Sequence, residues 1–260
     1  MKVAILCGGF GTRIRDVSDN LPKPMIPIGG HPILWHIMKY YAHWGHNDFT
    51  LCLGYKGSEI KNFFLNYRAQ LSDFRIDLSG KKPLEYLESH GPLEWQITLA
   101  ETGLNSMTGA RVKRIEKHII DDKDFLLTYG DGLGNVDLDR LVAFHKAHNR
   151  VLTVTGVRPP GRFGELCHRD DGMVTEFNEK PQATGGRISG GFFVCKRELF
   201  DYLDNAEDLV FEQEPMRALV RNQQLMVYEH DGFWQPMDTY RDYQYLNSIF
   251  EKGKAPWVIW

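Results

Sequence analysis

The sequence has few cysteines and no arrangement of them that would hold a metal ion or a disulfide framework. Its four cysteines are Cys7, Cys52, Cys167 and Cys195, and no two of them form a C-x-x-C pair. Cys7, Cys52 and Cys195 lie in apolar runs, where a reduced cysteine acts as a small core residue. We therefore expect no zinc site and a reducing, cytoplasmic compartment.

Long apolar runs and an excess of positive charge are also missing. No segment approaches the roughly 20 apolar residues that a membrane-spanning helix needs. The first apolar run ends at Gly8, which is too early for a signal peptide. The formal net charge is −3, so the chain has no general attraction to nucleic acid or to an anionic membrane. We expect neither as a partner, and any basic residues must act locally.

Short apolar runs alternate with amphipathic helical patterns along the chain. This alternation predicts parallel strands covered by helices, and we expect a Rossmann-like doubly wound α/β fold with a mixed sheet in a single main domain. Ser58 is the predicted N-cap of the second helix, and residues 66–93 lose the pattern. The predicted strands are 3–6, 48–53, 94–100, 124–129, 151–157, 174–178, 191–195 and 225–229, and the predicted helices are 32–44, 58–65, 107–118, 137–148, 196–203, 212–222 and 239–252.

A glycine-rich loop follows the first predicted strand. Gly8, Gly9 and Gly11 occupy three of four positions, and Arg13 and Lys23 add positive charge nearby. Glycines let the backbone approach an anion closely, so the loop is either a tight turn or a phosphate cradle. It lacks the Lys-Ser/Thr of a P-loop, and its glycine spacing does not fit the dinucleotide fingerprint G-x-G-x-x-G.

Two aspartates stand where further ligand contacts are expected. Asp131 lies between two glycines at the end of a predicted strand, and Asp238 precedes the last predicted helix. Each has a second interpretation: Asp131 as part of an Asp-Gly turn, and Asp238 as the N-cap of the helix beginning at Thr239. Together they form a plausible pair of Mg²⁺ ligands. Lys180, beside Pro181, either binds a phosphate or is solvated.

The motifs taken together resemble the sugar-phosphate nucleotidylyltransferases, whose signature is G-G-x-G-T-R followed by P-K-P. The resemblance spans essentially the whole chain and is strongest to the glucose-1-phosphate cytidylyltransferase branch of that family. Position 7 holds Cys where the family usually has Ala. The matching stretches are LCGGFGTR (6–13), PKPM (22–25), GGHPILWHIM (29–38), TG (102–103), SMTGAR (106–111), TYGDG (128–132), PGRFG (160–164) and GFWQPMDT (232–239).

The resemblance implies transfer of a cytidylyl group from CTP to α-D-glucose 1-phosphate with Mg²⁺, giving CDP-glucose for CDP-deoxysugars of bacterial surface polysaccharides such as O-antigen. It also implies a cytoplasmic homo-oligomer, for example a hexamer, with the tail residues Trp257 and Trp260 as a candidate contact.

The implied halves are 1–130 for the nucleotide and 131–240 for the sugar phosphate, followed by a C-terminal helix and tail, 241–260. The implied residues are Arg13 and Lys23 for catalysis; Leu6, Cys7, Gly8, Gly9, Phe10, Gly11, Thr12, Arg13, Lys23, Ser106, Arg111 and Gly130 for the nucleotide, with Ser106 and Arg111 at the cytosine; Tyr129, Glu179 and Lys180 for the sugar phosphate; and Asp131 and Asp238 for the metal.

Two other functions stay open from the sequence. A sister nucleotidylyltransferase would use UTP, dTTP or another sugar phosphate. A non-catalytic module on the same fold would bind nucleotide sugars without turnover, although the joint presence of Arg13, Lys23, Asp131 and Asp238 argues against it.

Overall fold

The computed structural model describes residues 1–11, 21–80, 82–87, 94–119, 121–159, 165–169, 173–178 and 186–260. The strands in these ranges are β1 (Val3–Leu6), β2 (Pro27–Ile28), β3 (His31–Pro32), β4 (Asp48–Leu53), β5 (Phe74–Arg75), β6 (Glu85–Tyr86), β7 (Gln96–Glu101), β8 (Asp124–Tyr129), β9 (Gly132–Gly134), β10 (Leu152–Val157), β11 (Glu165–His168), β12 (Val174–Asn178), β13 (Ile188–Lys196), β14 (Leu225–His230) and β15 (Trp234–Pro236).

Helices connect most of these strands. Two short 3₁₀ helices lie at Lys23–Met25 and Arg197–Tyr202. The α-helices are α1 (Ile33–His43), α2 (Gly57–Leu65), α3 (Tyr67–Leu71), α4 (Thr108–Arg114), α5 (Glu116–Ile119), α6 (Leu138–His148), α7 (Glu214–Arg221) and α8 (Tyr240–Glu251).

A seven-stranded sheet in the order β14-β10-β13-β8-β1-β4-β7 forms the centre of the molecule. β1 pairs in parallel with β4 and β8, β4 pairs in parallel with β7, and β10 pairs in parallel with β14. Only β13 runs antiparallel to its two neighbours in this sheet. The carboxyl ends of β1, β4, β7 and β8 therefore meet at one edge, the edge at which α/β sheets bind ligands.

Side chains on the two faces of the sheet form two separate core clusters. Ile5 and Leu51 belong to the cluster that α1, α6 and α8 cover. Leu6 and Cys52, one position further along each strand, belong to the cluster that α4 and α7 cover. Successive residues of a strand point to opposite faces, so strands buried on both faces appear in the sequence as continuous apolar runs. This explains why these short runs predicted the doubly covered sheet, which is confirmed.

Most predicted elements are confirmed, and the corrections concern three of the helices. Ser58 was the predicted N-cap of α2, but that helix begins at Gly57 and the preceding Lys56 adopts φ 51°. The predicted helix at 107–118 divides into α4 and α5 at Ile115. The predicted helix at 196–203 is a 3₁₀ helix. Asp137 does cap α6, since its side chain accepts a hydrogen bond from the Arg140 N–H at 2.9 Å.

The C-terminal tail packs into the chain's own core. Trp257 is fully buried, and its indole N–H donates to His36 Nδ1 at 3.3 Å. Trp257 therefore cannot be an exposed oligomer contact, whereas Trp260 is 38% exposed. Among the helices of the described ranges, none combines the length and apolar character required to span a membrane.

Candidate active site

A cavity of about 400 Å³ opens at the carboxyl ends of β1 and β8. It brings together the glycine loop after β1, the start of the first 3₁₀ helix, the segment leading into α4, and the turn after β8. Most of the nucleotide contacts predicted from the sequence are therefore neighbours in space. The lining residues are Leu6, Cys7, Gly8, Gly9, Phe10, Gly11, Lys23, Pro24, Asn105, Ser106, Met107, Thr108, Arg111, Tyr129, Gly130 and Asp131.

The glycines that line the cavity differ in what surrounds them. A Cβ at Gly130 would lie 2.8 Å from the Leu6 carbonyl oxygen, so the backbone after β8 and the end of β1 are in close contact. Gly11 has φ +59°, a conformation that residues with a side chain rarely adopt. At Gly9 no atom of the described residues, apart from its chain neighbours, lies within 4 Å of the Cβ position, which leaves that backbone open on this side.

Arg111 fastens the walls of the cavity to one another. Its side chain is buried, and Nη2 donates to the carbonyl of Gly8 at 2.9 Å. Nη1 donates to the carbonyls of Leu53 at 2.9 Å and Gly103 at 2.7 Å. Burial lowers the pKa of the Arg111 guanidinium, and its hydrogen bonds to several oxygens compensate for the lost water. One side chain thus joins the glycine loop to the ends of two neighbouring strands.

The start of α4 forms the opposite wall and is held by the segment before α7. The Gly109 N–H donates to the Leu209 carbonyl at 2.9 Å. Thr108 Oγ1 donates to Glu212 Oε2 at 2.6 Å, and the Tyr129 hydroxyl donates to Glu212 Oε1. Burial, followed by the nearby Glu212 carboxylate, raises the pKa of Tyr129, so this phenol stays protonated and remains a donor.

Lys23 lies between the two predicted metal ligands. Its Nζ donates to Asp131 Oδ2 and to Asp238 Oδ1, at 2.6 Å in both cases. Burial opposes the charge on Lys23, but attraction to Asp131 and hydrogen bonds to both carboxylates raise the pKa above its usual value. The lysine is therefore a cation in this site.

A short antiparallel pairing brings the two aspartates together. β9 follows Asp131 directly and pairs with β15, which ends two residues before Asp238. The Met237 N–H donates to the Asp131 carbonyl at 2.9 Å. Asp242 fixes the turn beyond, because its Oδ2 accepts from the N–H groups of Asp238 at 3.0 Å and Thr239 at 2.8 Å.

The N-cap of α8 is Thr239 rather than Asp238. The Thr239 side chain accepts from the Asp242 N–H, and Asp242 bonds back to the Thr239 N–H, forming a capping box. The alternative interpretation of Asp238 as the helix cap is therefore wrong, because its carboxylate accepts from Lys23 instead.

The two carboxylates fit a hard divalent cation. Mg²⁺ prefers oxygen ligands and is bound by one or two carboxylates, with water and phosphate oxygens completing its octahedron. Asp131 and Asp238 already share one cation, the Lys23 ammonium, so their oxygens lie within reach of a single ion. Within the described ranges no group of three or more His, Cys, Asp or Glu side chains could hold a metal.

Several predicted residues lie outside the described ranges. These are Thr12 and Arg13 of the glycine loop, and Glu179 and Lys180 of the sugar-phosphate set, so their roles stay predictions. The described members of the nucleotide set line one cavity, with Ser106 95% buried in its wall. Their contacts with a nucleotide also stay predictions.

Three features of the site were not anticipated from the sequence. They are Glu212, Asp242 and the bridging position of Lys23. Glu212 and Lys23 make their contacts with residues far apart in the chain, whereas Asp242 bonds to Asp238, four positions away. Only Asp242 carried a local signal, because it stands three residues after Thr239 in the S/T-x-x-D/E spacing of a capping box.

Comparison with known proteins places this site in a family. The sequence model of the family described as "Nucleotidyl transferase" matches residues 2–252. A glucose-1-phosphate cytidylyltransferase of Salmonella typhimurium is 47% identical over 260 residues, covering 100% of both chains. A probable glucose-1-phosphate cytidylyltransferase of Bacillus subtilis is 43% identical, again covering 100% of both chains.

A solved structure supports the fold independently. The HddC protein of Yersinia pseudotuberculosis superposes with a TM-score of 0.67 at 21% identity, over 96% of this chain and 99% of the other. At that identity the likeness concerns the fold alone. Because the family match covers nearly the whole sequence and the two relatives align along all of it, this chain belongs to the nucleotidyl transferase family.

Proposed function

We propose that this chain transfers a cytidylyl group from CTP to α-D-glucose 1-phosphate, releasing pyrophosphate and forming CDP-glucose. The substrates are proposed from two relatives that carry the name glucose-1-phosphate cytidylyltransferase, at 47% and 43% identity along the whole chain. The observation that carries the chemistry is the group formed by Lys23, Asp131 and Asp238 beside a glycine-lined cavity.

The reaction needs positioning and charge neutralisation more than it needs a protein nucleophile. A phosphate oxygen of the sugar phosphate attacks the α-phosphorus of CTP, and the bond from that phosphorus to the pyrophosphate oxygen breaks. Two anions must approach each other for this step. The glycine loop offers backbone N–H groups, and Lys23 offers a buried positive charge in the same cavity.

Mg²⁺ is the proposed cofactor, and Asp131 and Asp238 are the residues that would hold it. When bound, Mg²⁺ would withdraw charge from phosphate oxygens and orient them for displacement. Lys23, and Arg13 by resemblance, would offset the remaining negative charge. Glu179, Lys180 and Tyr129 are proposed to contact the sugar phosphate, and of these Tyr129 lines the cavity.

Selection of cytosine is proposed to depend on Ser106 and Arg111. Both line the cavity, but the terminal nitrogens of Arg111 already donate to protein oxygens, including the Gly8 and Gly103 carbonyls. Arg111 would therefore act by holding a wall rich in carbonyl oxygens. Such acceptors suit the amine at C4 of cytosine, whereas uracil would place a carbonyl there and leave groups unpaired.

The cellular setting is proposed on the resemblance alone. We infer a cytoplasmic homo-oligomer whose product supplies CDP-activated deoxysugars for surface polysaccharides. Because Trp257 is buried within its own chain, an oligomer contact at the tail would have to use the exposed Trp260. Light scattering at micromolar concentration would measure the number of chains directly.

The proposed activity is tested by incubating the enzyme with CTP, α-D-glucose 1-phosphate and Mg²⁺. We expect stoichiometric release of pyrophosphate and CDP-glucose, with no release when Mg²⁺ is chelated. Binding of CTP without turnover of any sugar phosphate would instead support a non-catalytic nucleotide-sugar sensor. Faster turnover of another sugar phosphate would correct the sugar while retaining the reaction.

A further inference from the structure

Lys23 and the two aspartates form an ion group, and this arrangement bears directly on metal binding. The lysine side chain is 12% exposed, whereas those of Asp131 and Asp238 are 32% and 25% exposed. The lysine side chain is therefore the least exposed of the three, and its ammonium contacts one oxygen of each carboxylate. Both N···O distances are 2.6 Å, so the ammonium donates a charge-assisted hydrogen bond to each carboxylate.

A divalent cation bridging the same carboxylates would compete with this ammonium. Both cations need oxygens of Asp131 and Asp238, and two positive charges held a few ångströms apart repel strongly in a partly buried site. Lys23 also lines the nucleotide cavity, with its Cβ beside Gly11. Four methylenes separate its ammonium from the backbone, so the charge can turn toward phosphates in the cavity while the backbone stays in place.

We propose that Lys23 occupies the metal position of the Asp131–Asp238 pair and that the triphosphate releases the pair by drawing Lys23 to its own oxygens. This inference rests on the proposed function, since it assumes that these aspartates hold the metal. Before nucleotide arrives, the lysine keeps the carboxylates together and offsets their mutual repulsion. Metal binding and nucleotide binding then favour each other. A bound triphosphate takes away the ammonium that competes with the metal, and a bound metal frees that ammonium to contact the triphosphate.

The proposal makes a distinctive prediction for the protein without nucleotide. Replacing the lysine by a neutral side chain removes the ammonium that competes for the two carboxylates, so divalent metal should bind more tightly even though turnover is lost. A lysine that only binds phosphate would give no such gain. The expected change is about tenfold or more in the metal dissociation constant, within the usual range of coupling between sites.

The experiment titrates Mn²⁺ into nucleotide-free protein and measures free Mn²⁺ by electron paramagnetic resonance. The variants are wild type, Lys23→Met, the charge-retaining control Lys23→Arg, and the double variant Lys23→Met with Asp131→Asn. Circular dichroism confirms folding of each, and Lys23→Gln replaces Lys23→Met if the latter does not fold. The readout requires no turnover and no particular base or sugar, so it is independent of whether the proposed substrates are correct.

We expect weak Mn²⁺ binding by wild type and Lys23→Arg, binding about tenfold tighter or more by Lys23→Met, and loss of that gain in the double variant. Equal or weaker binding by Lys23→Met than by wild type would overturn the proposal. A gain that survives Asp131→Asn would also overturn it, because the metal would then be bound elsewhere.

Discussion

Asp131 and Asp238 stand side by side because β9 and β15 pair, and both accept a hydrogen bond from the same lysine ammonium at 2.6 Å. Neither residue is placed by the large sheet alone. Asp131 follows the end of β8, while Asp238 is carried there by a strand of three residues near the end of the chain. The site is therefore completed only when the last part of the chain has folded onto the first.

This relationship predicts that both carboxylates are needed for turnover and not for folding. Asp131→Asn or Asp238→Asn should each lower turnover by roughly 10²–10³-fold, the scale expected when a charge that stabilises the transition state is lost. Pyrophosphate release at saturating substrates measures the effect. Asp122→Asn is the matched control, since its side chain is 27% exposed and pairs with Lys2. Comparable losses in all three variants would contradict the assignment.

The contact between Arg111 and Gly8 predicts a sharp difference between adjacent glycines. A Cβ at Gly8 would lie 2.2 Å from Arg111 Nη1, whereas at Gly9 no described residue beyond its chain neighbours comes within 4 Å of that position. Gly8→Ala should reduce the free energy of unfolding by about 1–3 kcal/mol, because the buried guanidinium must shift from its carbonyl partners. Gly9→Ala should change it by less than about 0.5 kcal/mol. Chemical denaturation of both variants gives the comparison, and equal stabilities would refute the tethering role of Arg111.

The capping box of α8 predicts that two substitutions will both lower stability, but that only one of them will change the Mg²⁺ requirement of turnover. Thr239→Ala removes the cap and should cost about 1 kcal/mol of unfolding free energy. Asp242→Asn places an amide where the Asp238 and Thr239 N–H groups now donate, so a comparable or larger loss is expected.

Only Asp242→Asn loosens Asp238 itself. We therefore expect this variant alone to raise the Mg²⁺ concentration that gives half-maximal turnover. If Thr239→Ala raised it equally, the effect would come from the helix end as a whole rather than from the bond to Asp238.

Much of the fold was predictable because most of its main strands are marked by local sequence patterns. β1, β4 and β8 are largely buried on both faces, so their sequences are mostly apolar, and the structure gives the predicted bounds. The antiparallel insertion of β13 between β8 and β10 was not predictable from spacing, because pairing order depends on contacts distant in sequence. β9 and β15 were not predicted, because each has only three residues and contains glycine or proline, which leaves no periodic pattern.

The site likewise has some parts that the sequence predicts and others that it does not. Gly8, Lys23 and Asp131 follow directly from motifs at strand ends, and the structure places all three at one cavity. The tether from Arg111 to Gly8 spans 103 positions, and no local pattern indicates which carbonyls a buried guanidinium will reach.

The buried histidine under the C-terminal tail predicts a pH dependence of stability. His36 Nε2 lies 2.8 Å from the Ile28 carbonyl, and Nδ1 accepts from Trp257. Burial lowers the pKa of His36 to about 4, against about 6.5 in an unfolded chain. Between these values the unfolded chain binds more protons, so the histidine's contribution is complete above about pH 6.5 and is lost as the pH falls toward 4.

His36→Gln should remove part of this dependence. Its unfolding free energy should fall less steeply from pH 7 to pH 4.5 than that of wild type, by on the order of 2 kcal/mol over that interval. Urea denaturation at several pH values provides the slopes. Equal slopes for wild type and His36→Gln would show that His36 is not held neutral. Both proteins should retain some pH dependence from His46 and His145, whose pKa values burial also lowers to about 4.

The most direct test of the account is the ratio of kcat/KM for CTP to that for UTP, with α-D-glucose 1-phosphate and Mg²⁺ held constant. A site whose carbonyl-lined wall pairs with the cytosine amine should favour CTP by at least 10²-fold, because uracil would leave buried polar groups unpaired. Equal rates, or a preference for UTP, would contradict the assignment of this chain as a cytidylyltransferase.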